Sequence, residues 1–285
     1  MKKAIITFGL VSDCQYTDED DETYIIPTPE QLSYDCRYRE SPERLRQAIN
    51  FLNTQQLDFV VHLGDFIDRR FTEIEPLNTI TQTSKAPFWH VLGNHEYKDK
   101  STPIESVVSV YGMPHRYYVK DVSSYRFIII DSNEEGVIVP VEESDEYKSG
   151  QAYINALRQA GRGNARPWNG GVSDTQLAWI ELQIQAAEKQ GKNVILFSHH
   201  PIFPPGPLNM LNDIEFLTMI AKHSSVRAFF NGHNHLGNFA QKNSIPYITA
   251  AGIVEGEGNA YGTVTLYDDG SGTLTGYGRQ ASYSW

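Results

Sequence analysis

Five apolar runs recur along the chain, and each stops abruptly at a small polar cluster. Residues 4–11 end at Ser12-Asp13-Cys14-Gln15, and residues 58–63 end at Gly64-Asp65. Residues 87–92 lead into Gly93-Asn94-His95-Glu96. Val194–Phe197 leads into Ser198-His199-His200-Pro201, and Val226–Phe230 into Asn231-Gly232-His233-Asn234-His235. Short apolar runs without helical spacing predict buried strands. Helical patterns separate them. Ser41-Pro42-Glu43 predicts a helix start, with Ser41 as N-cap and Pro42 in the first turn, and Leu45, Ile49 and Leu52 supply its apolar face. Further helices are expected over 71–84, 103–111, 174–190 (capped by Ser173) and 211–222. Tyr117–Val119 and Arg126–Ile130 read as a hairpin. The stretch from Gln15 to about residue 40 reads as an acidic, polar loop. Residues 132–172 carry few periodic apolar positions and read as an insertion over the functional site. Residues 236–278 read as an antiparallel meander forming a second sheet. Alternation of strands and helices predicts an α/β fold. No repeat or linker divides the chain, so a single domain over 1–285 is expected.

Composition narrows the function classes. Hydrophobic residues make up 40% of the 285, enough for a sizeable core. The formal net charge is −11, with no basic run to offset it. Such a surface repels nucleic acid and anionic membranes, so neither is an expected partner. No stretch approaches the roughly 20 apolar residues of a membrane span, and the N-terminal run reads as a strand rather than a leader. The acidic runs 18–22 and 142–146 read as solvated loops. Two cysteines, Cys14 and Cys36, make no disulfide framework, so a reducing, cytoplasmic setting is expected. No sequence feature sets an oligomeric state.

The polar clusters carry the chemistry. In α/β folds, ligands bind at the carboxyl ends of the strands. Alone, Asp65 would read as a turn or capping residue, and His233-x-His235 as two side chains on one strand face. Five strand ends with Asp, Gln, Asn and His in place predict a metal centre. Those oxygen and imidazole ligands suit Mn, Fe, Zn or Ni. Of nine histidines, His95, His199, His200, His233 and His235 fall in the clusters. His62, His90, His115 and His223 read as packing or surface residues.

The order D-x-[H/Q], G-D-x-x-D, G-N-H-[D/E], H, G-H-x-H, running from Asp13 to His235, resembles the calcineurin-like metallophosphoesterase superfamily. The resemblance implies a four-layer α/β/β/α sandwich with mixed sheets and a dinuclear metal centre. It assigns Asp13, Gln15, Asp65 and His235 to the first ion. It assigns Asp65, Asn94, His199 and His233 to the second, with Asp65 bridging. His95 would meet the phosphate or protonate the leaving group, and Asp68 would orient His95. His200, beside the matching His199, is grouped behind the ligands on the substrate side. Two divalent ions, less Asp13, Asp65 and a bridging hydroxide, leave a core of about +1 that accepts a small-molecule phosphate substrate. That hydroxide would attack phosphorus in line.

Most of the superfamily carries histidine where this chain has Gln15. An amide oxygen is a harder ligand and tilts the site toward Mn²⁺. The D-x-Q form is similar to the manganese-dependent ADP-ribose/CDP-alcohol diphosphatases. So are Arg37-Tyr38-Arg39, Asn169-Gly170-Gly171-Val172-Ser173, and Gly252-Ile253-Val254-Glu255 with Ala260-Tyr261-Gly262-Thr263-Val264. The implied function is cleavage of the P–O–P bond of ADP-ribose, CDP-choline or CDP-glycerol. Arg37 and Arg39 could clamp the second phosphate, or neutralise residues 18–22 or Asp35. Tyr38 and Cys36 could line a nucleoside pocket or pack beneath the loop. A phosphomonoesterase or cyclic-nucleotide phosphodiesterase on the same core is the alternative. A non-catalytic scaffold is the other, and the full ligand set with His95 argues against it.

Overall fold

The computed structural model describes residues 2–27 and 31–285. The strands are β1 (Ala4–Val11), β2 (Glu22–Ile26), β3 (Leu32–Cys36), β4 (Phe59–His62), β5 (Phe88–His90), β6 (Tyr118–Val122) and β7 (Tyr125–Ile129). They continue as β8 (Asn193–Phe197), β9 (Val226–Asn231), β10 (Leu236–Lys242), β11 (Ile245–Ala251), β12 (Ala260–Tyr267), β13 (Gly272–Gly278) and β14 (Tyr283–Ser284). The helices are α1 (Ser41–Leu52), α2 (Glu75–Thr81), α3 (Ile104–Val110), α4 (Asp145–Gln159), α5 (Asp174–Lys189) and α6 (Asp213–Ile220).

Two six-stranded sheets form, in the orders β14-β13-β12-β1-β4-β5 and β10-β11-β9-β8-β7-β6. Both are mixed. β1, β4 and β5 run parallel, as do β7, β8, β9 and β11, with antiparallel strands at the flanks. Aromatic side chains join the inner faces. Phe8 stacks on Phe59 at 4.8 Å between ring centroids, and Phe59 stacks on Trp89 at 3.7 Å. Across the interface, Phe8 meets Phe127, Phe197 and Phe230 edge-on at 5.7–6.1 Å. All but Phe127 of these rings come from the strands that carry the polar clusters, so one packed seam joins those strands across the two sheets. On the outer faces, α1 and α2 bury Leu45, Ile49, Leu52, Leu77 and Ile80 with the first sheet's core. α5 and α6 bury Ile180, Ile184, Phe216 and Ile220 against the second. The result is the four-layer α/β/β/α sandwich.

Four expectations need correction. The tail does not form a sheet of its own: β10 and β11 join β9, while β12 and β13 extend the first sheet beside β1. The acidic loop contains the β2–β3 hairpin, in register from Glu22↔Cys36 to Ile26↔Leu32; residues 28–30 of that loop lie outside the described residues. The segment 132–172 contains the four-turn helix α4. Ser41 does not cap α1. The helix continues from a 3-10 turn over Tyr38–Glu40, which puts Glu40 at the N-cap and makes no side-chain cap. Ser173 does cap α5, its hydroxyl accepting from the Gln176 amide.

Candidate metal centre

The ligand-type side chains are turned inward by backbone that leaves each strand sharply. Asp13 (φ 48°), Gln15 (φ 42°), Asp65 (φ 58°) and His233 (φ 67°) all adopt the left-handed region, which costs non-glycine residues about 1–3 kcal/mol each. Strain of that kind persists only where the surroundings enforce it. Glu96 supplies part of the enforcement. Its buried carboxylate accepts the backbone N–H groups of Asp65 (3.0 Å), Phe66 (2.6 Å) and Gly93 (2.6 Å), and the Tyr111 hydroxyl (3.0 Å). One side chain thereby ties the end of β4 to the end of β5. At Gly93, any Cβ would run into the Asp65 carboxylate.

Asp65, His199 and His233 are buried and offer ligand atoms within 4.8 Å of one another. His199 Nε2 lies 3.1 Å from Asp65 Oδ2, 3.0 Å from Asn94 Oδ1 and 3.2 Å from His233 Nδ1. On the other side, His235 Nε2 stands 3.7 Å from Asp13 Oδ1. Gln15 Nε2 donates to Asp65 Oδ2 at 3.0 Å. A cation between those two side chains would take the amide oxygen instead, since amide orientation follows its partners.

The far nitrogen of each imidazole is tied off. His199 Nδ1 donates to Leu63 O at 2.8 Å. His233 Nε2 meets Asn169 Oδ1 at 3.0 Å, and His235 Nδ1 meets Glu255 Oε2 at 3.3 Å. The remaining nitrogens face the cluster, where an ion would displace their protons and take their lone pairs, as metal-binding histidines require. The electrostatics ask for positive charge. Burial pushes His199 down, but Asp65 and Asp13 outweigh it and bring it up to about 9. Burial lifts Asp13 above the usual carboxylate range against the pull of His235 and His199. Oxygen and imidazole donors converging on two carboxylates fit a pair of divalent ions.

His95 stands at the edge of the cluster. Its backbone N–H donates to Asp65 Oδ1 at 2.8 Å, and its Nδ1 lies 2.7 Å from Asp68 Oδ1. Burial pushes the Asp68 carboxyl up, but His95, Lys98 and Arg69 outweigh it and hold it well below its ordinary value. Asp68 is therefore an anion that fixes His95 and leaves Nε2 facing Gln15 and Asp65.

A cavity of about 320 Å³ opens over these groups. Gln15, Asn94, His95, His233 and His235 form its polar side, while Tyr24, Ile26, Tyr34, Trp168 and Leu208 form an apolar wall. Tyr24 and Tyr34 of the hairpin stack at 5.2 Å.

The other proposed substrate-side residues do not line this cavity. Arg37 pairs with Asp35 at 2.8 Å and faces Asp21 at 3.6 Å, and Arg39 pairs with Asp18 (3.0 Å) and Asp20 (2.7 Å). The acidic run lies beside them and takes both guanidinium groups. Tyr38 and Cys36 pack in a small core with Tyr34, Leu208 and Val254. His200 is fully buried behind His233, their rings 4.3 Å apart. Its Nδ1 meets Ser132 Oγ at 2.8 Å, and its Nε2 accepts the Gly170 N–H at 3.2 Å. Burial, reinforced by His199, lowers it to about 3, so it stays neutral.

A family profile described as calcineurin-like phosphoesterase matches residues 6–237. The chain belongs to the calcineurin-like phosphoesterase family. It is thus a hydrolase of the metallophosphoesterase class. It is 27% identical over 310 residues to the manganese-dependent ADP-ribose/CDP-alcohol diphosphatase of Danio rerio, covering 94% of each chain. The human protein of the same name is 25% identical over 306 residues, covering 93% of this chain and 88% of its own. Among solved structures, a dimetal phosphatase from Danio rerio superposes with a TM-score of 0.84 at 26% identity, over 99% of both chains. The NAD nucleotidase of Haemophilus influenzae, at 12% identity and TM-score 0.53, shares the fold over 95% of this chain and 49% of its own.

Sequence reasoning assigned no role to Glu96, Asn169, Glu255 or Trp168, nor to the hairpin tyrosines. Glu96 stands in the Gly93-Asn94-His95-Glu96 cluster. Asn169 and Glu255 stand in the stretches that resemble the diphosphatase group. Their neighbours across the fold, not their own positions, define what they do.

Proposed function

We propose that this family member is a manganese-dependent diphosphatase that cleaves the P–O–P bond of nucleoside diphosphate conjugates such as ADP-ribose, CDP-choline or CDP-glycerol. The observation that carries the reading is the two-sided cavity: a ligand-rich polar side against an aromatic wall. A nucleoside base stacks on such a wall, and its phosphates then fall over the polar side. The names of the Danio rerio and human relatives support the same substrate class and metal.

In this reading Asp13, Gln15, Asp65 and His235 hold one ion, and Asp65, Asn94, His199 and His233 the other. The pair of ions supplies Lewis acidity and acidifies water near neutral pH. The chain's own residues do the rest. Glu96 holds the Asp65 turn so that both carboxylate oxygens stay inside the cluster. Leu63 O, Asn169 and Glu255 hold the outer nitrogens of three histidines, so the inner nitrogens are the ones that would meet an ion. Asp68 orients His95 through its contact with Nδ1, and His95 delivers a proton to the departing oxygen from Nε2. The test is hydrolysis with added Mn²⁺ across ADP-ribose, CDP-choline, CDP-glycerol, cyclic nucleotides and nucleoside monophosphates, with products identified. Nucleoside monophosphate plus a phosphorylated alcohol or sugar supports the reading. Release of free phosphate from monoesters alone, or ring opening of cyclic nucleotides alone, overturns it.

A further inference from the structure

A second cavity, of about 610 Å³, shares Asn94 and Trp168 with the first. Its chemistry is different. Among the described residues, no lysine or arginine lines the first cavity, whereas Lys98 and Lys100 both line the second, with Tyr97, Ile138 and Glu142. Lys100 is committed, its Nζ donating to the backbone oxygens of Ile138 and Val139. Lys98 is not. Its side chain is 45% exposed, and its Nζ lies 3.5 Å from Asp68 Oδ1. That oxygen is the one His95 Nδ1 meets at 2.7 Å, and Arg69 takes the other Asp68 oxygen. Lys98 therefore flanks His95 with donors to spare.

We propose that the second cavity binds the phosphorylated alcohol or sugar half of the substrate, and that Lys98 is the cation that meets its phosphate. The proposal rests on the diphosphatase reading. A nucleoside diphosphate conjugate has two halves joined at the P–O–P bridge, so a hydrolytic centre between two cavities accommodates it. In a chain of net charge −11, the leaving half needs a local cation. Arg37 and Arg39 are held by Asp35, Asp18 and Asp20. Glu142 offers a carboxylate to hydroxyl groups or to a quaternary ammonium on the same half.

The step balances. A water oxygen bonds to the nucleoside-side phosphorus, and the bond from that phosphorus to the bridging oxygen breaks. The electron pair leaves with the phosphorylated alcohol. His95 gives the bridging oxygen a proton, one water proton restores His95, and the other passes to solvent. Negative charge grows on the leaving phosphate, beside Lys98.

The experiment compares Lys98→Met and Lys98→Arg with wild type. Rates are measured on CDP-choline and on bis(4-nitrophenyl) phosphate, whose leaving group carries no phosphate. Binding of phosphocholine and of CMP is measured by calorimetry. Loss of a charge-assisted contact predicts that Lys98→Met loses about tenfold or more in kcat/KM on CDP-choline beyond its loss on the aryl diester. Phosphocholine binding weakens by about the same factor, more than CMP binding does, and Lys98→Arg restores most of both. Equal losses on the two substrates, or unchanged phosphocholine binding, overturn the proposal. If wild type cleaves the aryl diester but no nucleoside diphosphate conjugate, the diphosphatase reading fails and this proposal falls with it.

Discussion

Asn169 offers a sharp test because it touches only the back of a proposed ligand. Its Nδ2 donates to Asn164 O at 2.9 Å and Pro207 O at 2.8 Å, which fixes the amide with Oδ1 toward His233 Nε2. An acceptor at that nitrogen keeps the proton on Nε2 and the lone pair of Nδ1 inside the cluster, 3.2 Å from His199 Nε2. Both side chains are buried, so Asn169→Ala leaves an N–H without a partner, a penalty of about 1–3 kcal/mol. Part of it falls on ion binding, because the wrong tautomer must be corrected before His233 can act as a ligand. Loss of such outer hydrogen bonds costs about 10–100-fold in metal affinity. The assay pairs a Mn²⁺ titration with ¹⁵N NMR of His233 in ion-free protein. Wild type should show a single Nε2–H tautomer, and Asn169→Ala a mixture with affinity lowered by about tenfold or more. Asn169→Asp retains an acceptor and should fall between. An unchanged tautomer with unchanged affinity would mean that Asn169 does not set the His233 tautomer.

Three further outcomes follow from the geometry. His95→Ala should slow poor leaving groups by about 10²–10⁴-fold and activated aryl esters much less, if His95 is the acid. Parallel losses in a leaving-group series would remove it from that role. Gly93→Ala should cut turnover and lower stability by about 1–3 kcal/mol, because the new Cβ displaces the Asp65 carboxylate. A variant with wild-type rates and Tm would mean that the β5 turn tolerates far more than its packing suggests. His90 is buried and neutral, lowered by burial from 6.5 to about 3. As pH falls through 6.5 the unfolded chain takes up a proton that the folded chain refuses, so stability drops between those values. Urea denaturation of His90→Phe should lose about 2 kcal/mol less than wild type between pH 7 and 5. Identical losses would show that His90 does not drive the acid limb.

The gathering of ligand-type side chains was legible because these residues stop apolar runs. Asp13, Asp65, Asn94, His199 and His233 each follow a buried strand directly, so the topology gathers them with little help from loops. What the pattern concealed lies where burial is slight or partners are distant. The helix α4 buries only Gly150 and Ile154 of its 15 residues, which leaves almost no apolar stripe to read. The hairpin strand Glu22–Ile26 has no fully buried residue and follows an acidic run, so it resembled loop. Ser41 looked like a cap because a 3-10 turn before a helix leaves no mark on composition. Arg37 and Arg39 lie near the first cluster in sequence, but local carboxylates in a strongly acidic segment are the cheaper partners. Asn169 and Glu255 act on His233 and His235 through contacts that only the folded chain creates.

In the proposed site Asp65 joins two ions. Asp65→Asn tests it most directly, since asparagine keeps the shape and tolerates the left-handed backbone (φ 58°) while removing the charge. Ion-free protein is titrated with Mn²⁺ and the bound metal counted. A bridging Asp65 gives two ions per wild-type chain, and weaker binding at both positions in Asp65→Asn. Two ions held by the variant at wild-type affinity would contradict it.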